Sequence, residues 1–312
     1  MRKLLALLLP AKLFLLFILY PAFAQHANWI YAAERVCSQS CLCTEVSGSI
    51  QDVIRVGTAV SADEVPIRYQ VQGEGEPALV FVHGWCCDRS YWDAQVDYFA
   101  RNYKVVAVDL AGHGESGLGR EAWTITAFGE DVVAVIEKLD LRKVVLIGHS
   151  MGGPVILEAA RRIQGRVIGL VGVDTFVAYG QLDTSEFLAP FRADFAGSTD
   201  NFVRQFLFTP NSDPTLVDTI STDMSAAPAE VGLSAMEALL AYDWASVMQE
   251  VLAPIRCINS DMVPTDVEAS RLHAASFDVE VISGVGHFVM LEDPETFNSI
   301  LAEILGEYIS GN

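Results

Sequence analysis

The sequence predicts an α/β fold: a mainly parallel, doubly wound sheet with a small helical cap inserted after the sixth strand. Three observations predict it. Runs of five or six apolar residues recur, too continuous for a sheet wetted on one face; helix-length amphipathic segments separate them; and the alternation lapses once, between about Thr175 and Asp243, before it resumes.

Taken in order, "DVIRVGTAV" and "VPIRYQVQG" alternate polar and apolar residues, as an antiparallel pair does. "PALVFVHG" is the first doubly buried run. The helix-like "SYWDAQVDYFARN" follows, then the strand "YKVVAVDLAG" and the helix "FGEDVVAVIEKLD". The strand "KVVLIG", the helix "GPVILEAARRI" and the strand "VIGLVGVD" complete the first half. In the lapse, "FLAPFRADF", "NFVRQFLF" and "AEVGLSAMEALL" read as short amphipathic helices with no strands between them, which is the cap. The last units are "PIRCINS", "DVEASRLHAA", "FDVEVIS" and the closing helix "PETFNSILAEILGEYI".

The catalytic body is therefore expected at residues 51–174 and 244–312, with the cap at 175–243. The chain of 312 residues is long enough to bury a large core. Its first 24 residues have two early cations, an apolar stretch and Ala22-Phe23-Ala24, the small-x-small pattern of a signal-peptidase site. A signal peptide over 1–24, a mature start near Gln25 and an exported protein, periplasmic or secreted, are the expectation. If the segment is not cleaved it is a membrane anchor, although Pro10 and Lys12 leave the run short for a span. Residues 25–50 show no clear period and form an N-terminal extension.

The formal charge is −20, and −23 without Arg2, Lys3 and Lys12, which excludes an electrostatic grip on nucleic acid. No stable membrane partner is expected once the signal is removed, and the oligomeric state is left open. Six cysteines, at 37, 41, 43, 86, 87 and 257, are too few for a disulfide scaffold in a chain this long. The "CSQSCLC" cluster offers three thiols and no nearby histidine, so no metal is assigned.

The chemistry centres on "KVVLIGHSMGGPVILEAA". Ser150 stands between Gly148 and Gly152, after a buried-type strand and before a helix, which is the context that gives Gly-x-Ser-x-Gly its meaning. A turn sharp enough to lift the serine above the sheet edge crowds the residues two before and two after it, so both must lack bulk. A phosphate cradle would need a Walker-type lysine or a second glycine fingerprint, and neither is present. A serine hydroxyl is a weak nucleophile and needs a base, normally a histidine oriented by a carboxylate. His287, on the glycine-lined loop "SGVGHFVMLEDP" after the last strand, falls at the same carboxyl edge of the sheet. An oxyanion is held by two backbone N–H groups. Met151, first after the serine, supplies one, and Trp85 in "FVHGWCC" is the candidate for the other.

With "HGW" at 83–85, "DLAGHGES" at 109–116, "GHSMGG" at 148–153 and "GVGHF" at 284–288, in that order, the sequence resembles the α/β-hydrolase fold family, in its branch of cap-bearing esterases and related hydrolases. The resemblance implies Ser150 as nucleophile, His287 as base, an oxyanion hole from Trp85 and Met151, and no cofactor. For the acid, such proteins use an aspartate after the strand that follows the cap, in a segment like "GxxDxxVP". Here it reads "INSDMVPTD", two residues shorter, and Asp261 is the expected partner. Asp174, at the end of "VIGLVGVD", and Asp266, at an expected helix N-cap, are the rivals.

The reading is a serine hydrolase that cleaves carboxylic esters through an acyl-enzyme, a carboxylesterase acting on a small apolar ester. A cap rich in phenylalanine (Phe176, Phe187, Phe191, Phe195, Phe202, Phe206, Phe208) suits an apolar pocket, while its acids Glu186, Asp194, Asp200 and Glu230 do not mark an amine site. Lactonase, aminopeptidase, carbon–carbon bond hydrolase, cofactor-free perhydrolase and a slow-turnover ligand sensor are the alternatives on the same residues.

Overall fold

The computed structural model describes residues 53–177 and 183–311. The signal peptide, the extension at 25–50 and the "CSQSCLC" thiols lie outside the described residues.

Eight strands form one sheet in the order β1-β2-β4-β3-β5-β6-β7-β8. They are β1 (Arg55–Val60), β2 (Pro66–Gln72), β3 (Ala78–Val82), β4 (Lys104–Val108), β5 (Val144–His149), β6 (Val167–Val173), β7 (Ile255–Ser260) and β8 (Phe277–Ile282). β2 pairs antiparallel with β1 and β4; every pairing from β4 to β8 is parallel. The apolar runs behave as expected: every residue of β3 and β5 is buried, because helices cover both faces.

The flanking helices are α1 (Asp93–Phe99), α2 (Ile125–Lys138), α3 (Gly152–Arg162) and, after the cap, α9 (Val267–Arg271), α10 (Val289–Glu292) and α11 (Pro294–Ser310). In α2, Ile125, Phe128, Val132, Val135 and Ile136 make one buried stripe, and the Thr124 hydroxyl caps the start by accepting from Ala127 N at 3.1 Å. Where α2 crosses α3, Gly129 has no room for a side chain, since a Cβ there would fall on Glu158.

Between β6 and β7 come α4 (Thr184–Ala193), α5 (Phe195–Phe206), α6 (Pro214–Ser225) and α7 (Ala229–Leu240), the cap, and then α8 (Trp244–Met248), which packs on α3. Helix α6, which the sequence reading did not include, is rich in Ser, Thr and Asp and buries only Ile220, Ser221 and Met224. Its start is conventional: Asp213 accepts from Thr215 N at 2.8 Å and Pro214 is the first helical residue. Four of the seven cap phenylalanines meet the body rings Trp85 and Phe288. Phe191, Phe195 and Phe202 meet the Trp85 ring edge-on at 5.9, 5.9 and 6.2 Å, and Phe208 stacks on Phe288 at 5.3 Å. Phe206 alone among the seven is mostly exposed, at 61%.

Candidate active site

The parallel strand order β3-β5-β6-β7-β8 brings the loops after these strands to one carboxyl edge, where ligands bind in open α/β sheets. Ser150 follows β5 with φ +52°, a left-handed conformation that non-glycine residues seldom adopt. The sharpness of that turn explains its glycines. A Cβ on Gly148 would fall on Gly152 O, and one on Gly152 would lie 2.6 Å from Val82 O. The elbow is held by Ser150 N donating to Val173 O at 2.9 Å, and by Gly153 N and the Thr175 hydroxyl, each donating to Ser150 O at 2.9 Å.

The loop after β3 lies against this elbow: a Cβ on Gly84 would be 3.1 Å from Ser150 Cβ. His83 shapes that loop. It accepts from Leu110 N at Nε2 (3.0 Å), so its proton is on Nδ1, which donates to Gly84 O at 2.8 Å. Burial pulls its pKa down to about 4, so the ring is neutral. The Trp85 indole donates to Gly232 O of α7 at 2.7 Å. Among the described residues, the main-chain N–H groups of Trp85 and Met151 donate to no carbonyl or side chain. Two unpaired donors thus sit in the two segments that flank the serine.

His287 is buried, with 8% of its surface exposed. His149 Nε2 donates to His287 O at 3.0 Å and His287 N donates to Leu207 O of the cap at 2.8 Å. The loop is further tied by Glu292, which accepts from Gly286 N at 2.8 Å and from the Ser212 hydroxyl at 2.5 Å. The Ser150 hydroxyl and His287 Nε2 form no hydrogen bond among the described residues, and in free enzymes that bond often tightens only when substrate is bound.

The carboxylate at His287 is Asp174, and the expectation of Asp261 is corrected on this point. His287 Nδ1 lies 2.5 Å from Asp174 Oδ2, and Ser260 N donates to Asp174 Oδ1 at 2.7 Å. The cause is backbone geometry. Asp174 follows β6 with φ +44°, which turns its side chain back over the end of β7. β7 itself runs through Ser260, so in the shortened segment Asp261 is the first residue past the strand, where it is exposed and accepts from Gly284 N at 3.1 Å. Asp266 caps α9, accepting from Ala269 N at 2.9 Å. Burial tends to raise the Asp174 pKa, but the His287 contact and the Ser260 hydrogen bonds outweigh it and hold the carboxyl below its ordinary value.

This arrangement can activate a hydroxyl, orient an imidazole and hold an oxyanion. The alpha/beta hydrolase family model matches residues 79–300. The chain belongs to the alpha/beta hydrolase family.

Relatives within it are varied. The chain is 26% identical over 258 residues to 3-oxoadipate enol-lactonase 2 of Acinetobacter baylyi, with 80% of this chain and 96% of that protein aligned. It is 36% identical over 100 residues to the bifunctional esterase/perhydrolase DCH of Acinetobacter calcoaceticus, 31% of this chain and 36% of that one. Among solved structures, a thermophilic esterase from Thermogutta terrifontis superposes with a TM-score of 0.72 at 22% identity, over 81% of this chain and 99% of the other.

Proposed function

We propose that this hydrolase is an exported carboxylesterase that works through an acyl-enzyme, with Ser150 as nucleophile, His287 as base, Asp174 as the orienting acid and the Trp85 and Met151 N–H groups as the oxyanion hole. The observation that carries the reading is the His287–Asp174 pair at 2.5 Å beside a serine in a left-handed elbow. In this reading Ser150 Oγ bonds to the ester carbonyl carbon while its proton passes to His287 Nε2. The negative charge on the carbonyl oxygen is met by the two N–H donors, and the imidazolium by Asp174. Collapse breaks the bond to the alcohol oxygen, which leaves with the proton from Nε2. Water then repeats the sequence on the acyl-enzyme and releases the acid.

The neutral state of the surrounding histidines supports these roles. His83 and His149 have pKa values lowered to about 4 and about 3 by burial, so neither competes as base at neutral pH. A second reading, lactone opening, is favoured by the relationship to an enol-lactonase across most of the chain. A lactone is a cyclic ester and needs the same groups. Export rests on the composition of residues 1–24; N-terminal sequencing of the expressed protein should find Gln25 first.

The test is hydrolysis of a short activated ester by purified protein, with a lactone and an aminoacyl anilide in the same panel. Wild type should turn over the ester and Ser150→Ala should lose at least about 10³-fold of that rate. Equal rates for the two proteins would refute the serine mechanism.

A further inference from the structure

Asp174 does not hold its position unaided. The turn that carries it, residues 174–176, has two non-glycine residues in the left-handed region, Asp174 at φ +44° and Phe176 at φ +54°. Each such residue is disfavoured unless its surroundings hold it. Asp174 N donates to Ile258 O at 3.0 Å, and the residue between the two left-handed ones is held by one side chain. Asn259, fully buried in β7, accepts from Thr175 N at 3.2 Å through Oδ1, and donates through Nδ2 to Thr175 O at 3.0 Å and to the Thr265 hydroxyl at 2.8 Å. Its amide therefore takes the place of a neighbouring strand, pairing with both backbone groups of the residue in the middle of the turn. Thr175 in turn passes its hydroxyl to Ser150 O at 2.9 Å. The next residue of β7, Ser260, donates its N–H to the carboxylate itself.

We propose that Asn259 is a positioning residue for catalysis: its buried amide locks the 174–176 turn in the conformation that presents the Asp174 carboxylate to His287. The end of β7, where the sequence places its expected acid, supplies instead the clamp for an acid borne by β6. The inference rests on the serine-hydrolase reading and names the residue on which its acid depends. Replacing Asn259 with an apolar group of similar size leaves the Thr175 N–H and C=O buried without partners, so the turn relaxes and the carboxylate swings off the imidazole.

The test compares wild type, Asn259→Leu and Ser150→Ala. Serines able to react are counted with a fluorophosphonate, so that rates are per competent site. For Asn259→Leu, kcat per site should fall about tenfold or more with KM changed less than about threefold. A residue that only supports folding would lower the number of competent sites and leave the per-site kcat alone. A per-site kcat within twofold of wild type overturns the proposal. If the leucine variant does not accumulate folded, Asn259→Ser, which leaves room for water, takes the same measurements. The far-downfield proton resonance of a histidine N–H bonded to carboxylate needs no turnover. It should be present in wild type and lost in both Asn259 variants, and its persistence in them would also overturn the proposal. A wild type with no Ser150-dependent activity but an Asn259-dependent resonance would refute the esterase reading while leaving the clamp standing.

Discussion

Asp174→Asn is the substitution that separates the two candidate acids most sharply. The carboxylate sits 8% exposed with donors at 2.5 Å and 2.7 Å, and nothing else among the described hydrogen bonds reaches His287 Nδ1. An asparagine can keep the Ser260 N–H through its oxygen, and then turns its NH₂ toward His287. The imidazole must answer with a lone pair on Nδ1, which puts its proton on Nε2, the atom that should receive the serine proton. The loss combines one charge-assisted hydrogen bond, about 1.5–3 kcal/mol, with the wrong tautomer. Together they should lower kcat by about 10³–10⁴-fold, or about 4–5.5 kcal/mol of barrier. Asp261→Asn serves as the control. Asp261 is exposed and an amide oxygen can still accept from Gly284 N, so its kcat should stay within about twofold. The assay is ester hydrolysis at saturating substrate, normalised to fluorophosphonate-reactive sites. Reversal of the order, with Asp261→Asn crippled and Asp174→Asn active, would refute the assignment.

Two further outcomes follow from the same geometry. Gly148→Ala drives a methyl onto Gly152 O; it should destabilise the fold by about 1–3 kcal/mol in urea melts and abolish fluorophosphonate labelling, and wild-type labelling would show that the elbow has more slack than its packing implies. The buried histidines His83, His113 and His149 have pKa values lowered by burial to about 4, 3 and 3, so in the folded chain they stay neutral where the unfolded chain already takes up protons. Stability should therefore be full above pH 6.5 and fall as pH drops from 6.5 toward 4, by up to about 1.4 kcal/mol per pH unit for each histidine. Urea melts at pH 7 and pH 5 measure it, and equal midpoints would contradict the neutral, buried state of these rings.

The sheet was legible because burial on both faces leaves a direct trace: β3, β5 and β6 are apolar throughout or nearly so, and no helix-length pattern competes with them. The elbow was legible for the same kind of reason, since Gly148 and Gly152 are required by clashes that a short motif records. Helix α6 was hidden because its buried side is narrow and its other positions are Ser, Thr and Asp, which favour turns as readily as helices. The acid was misplaced because the deciding variable is a backbone angle. Whether an aspartate at a strand end points back over the next strand depends on φ at Asp174, and φ there depends on an amide 85 positions later in the chain. Periodicity carries no record of such a contact, and the register of "INSDMVPTD" pointed to its neighbour. Asn259, Ser260 and Glu292 were missed for the same reason: each acts through main-chain hydrogen bonding between distant segments, Asn259 on Thr175, Glu292 on Gly286 and Ser260 through its own N–H on Asp174, and their types are common at strand and helix ends.

The attachment of the cap bears on how this scaffold can be re-engineered. Among the described residues, its helices α4–α7 and their adjoining loops bond to the body through Leu207 O with His287 N, Ser212 with Glu292, Gly232 O with the Trp85 indole, Asp223 with the Tyr91 hydroxyl at 2.6 Å, and the Tyr242 hydroxyl with Glu158 at 2.7 Å. Three of these five end on the segments that carry the imidazole or an unpaired N–H donor. A cap borrowed from a relative to change substrate preference would have to bring its own replacements for Leu207, Ser212 and Gly232, or the transplant would blunt the chemistry along with the selectivity. Directed evolution of preference is better aimed at a single ring such as Phe187, whose ring contacts are to the cap rings Phe191 and Phe202 and which takes no part in those hydrogen bonds.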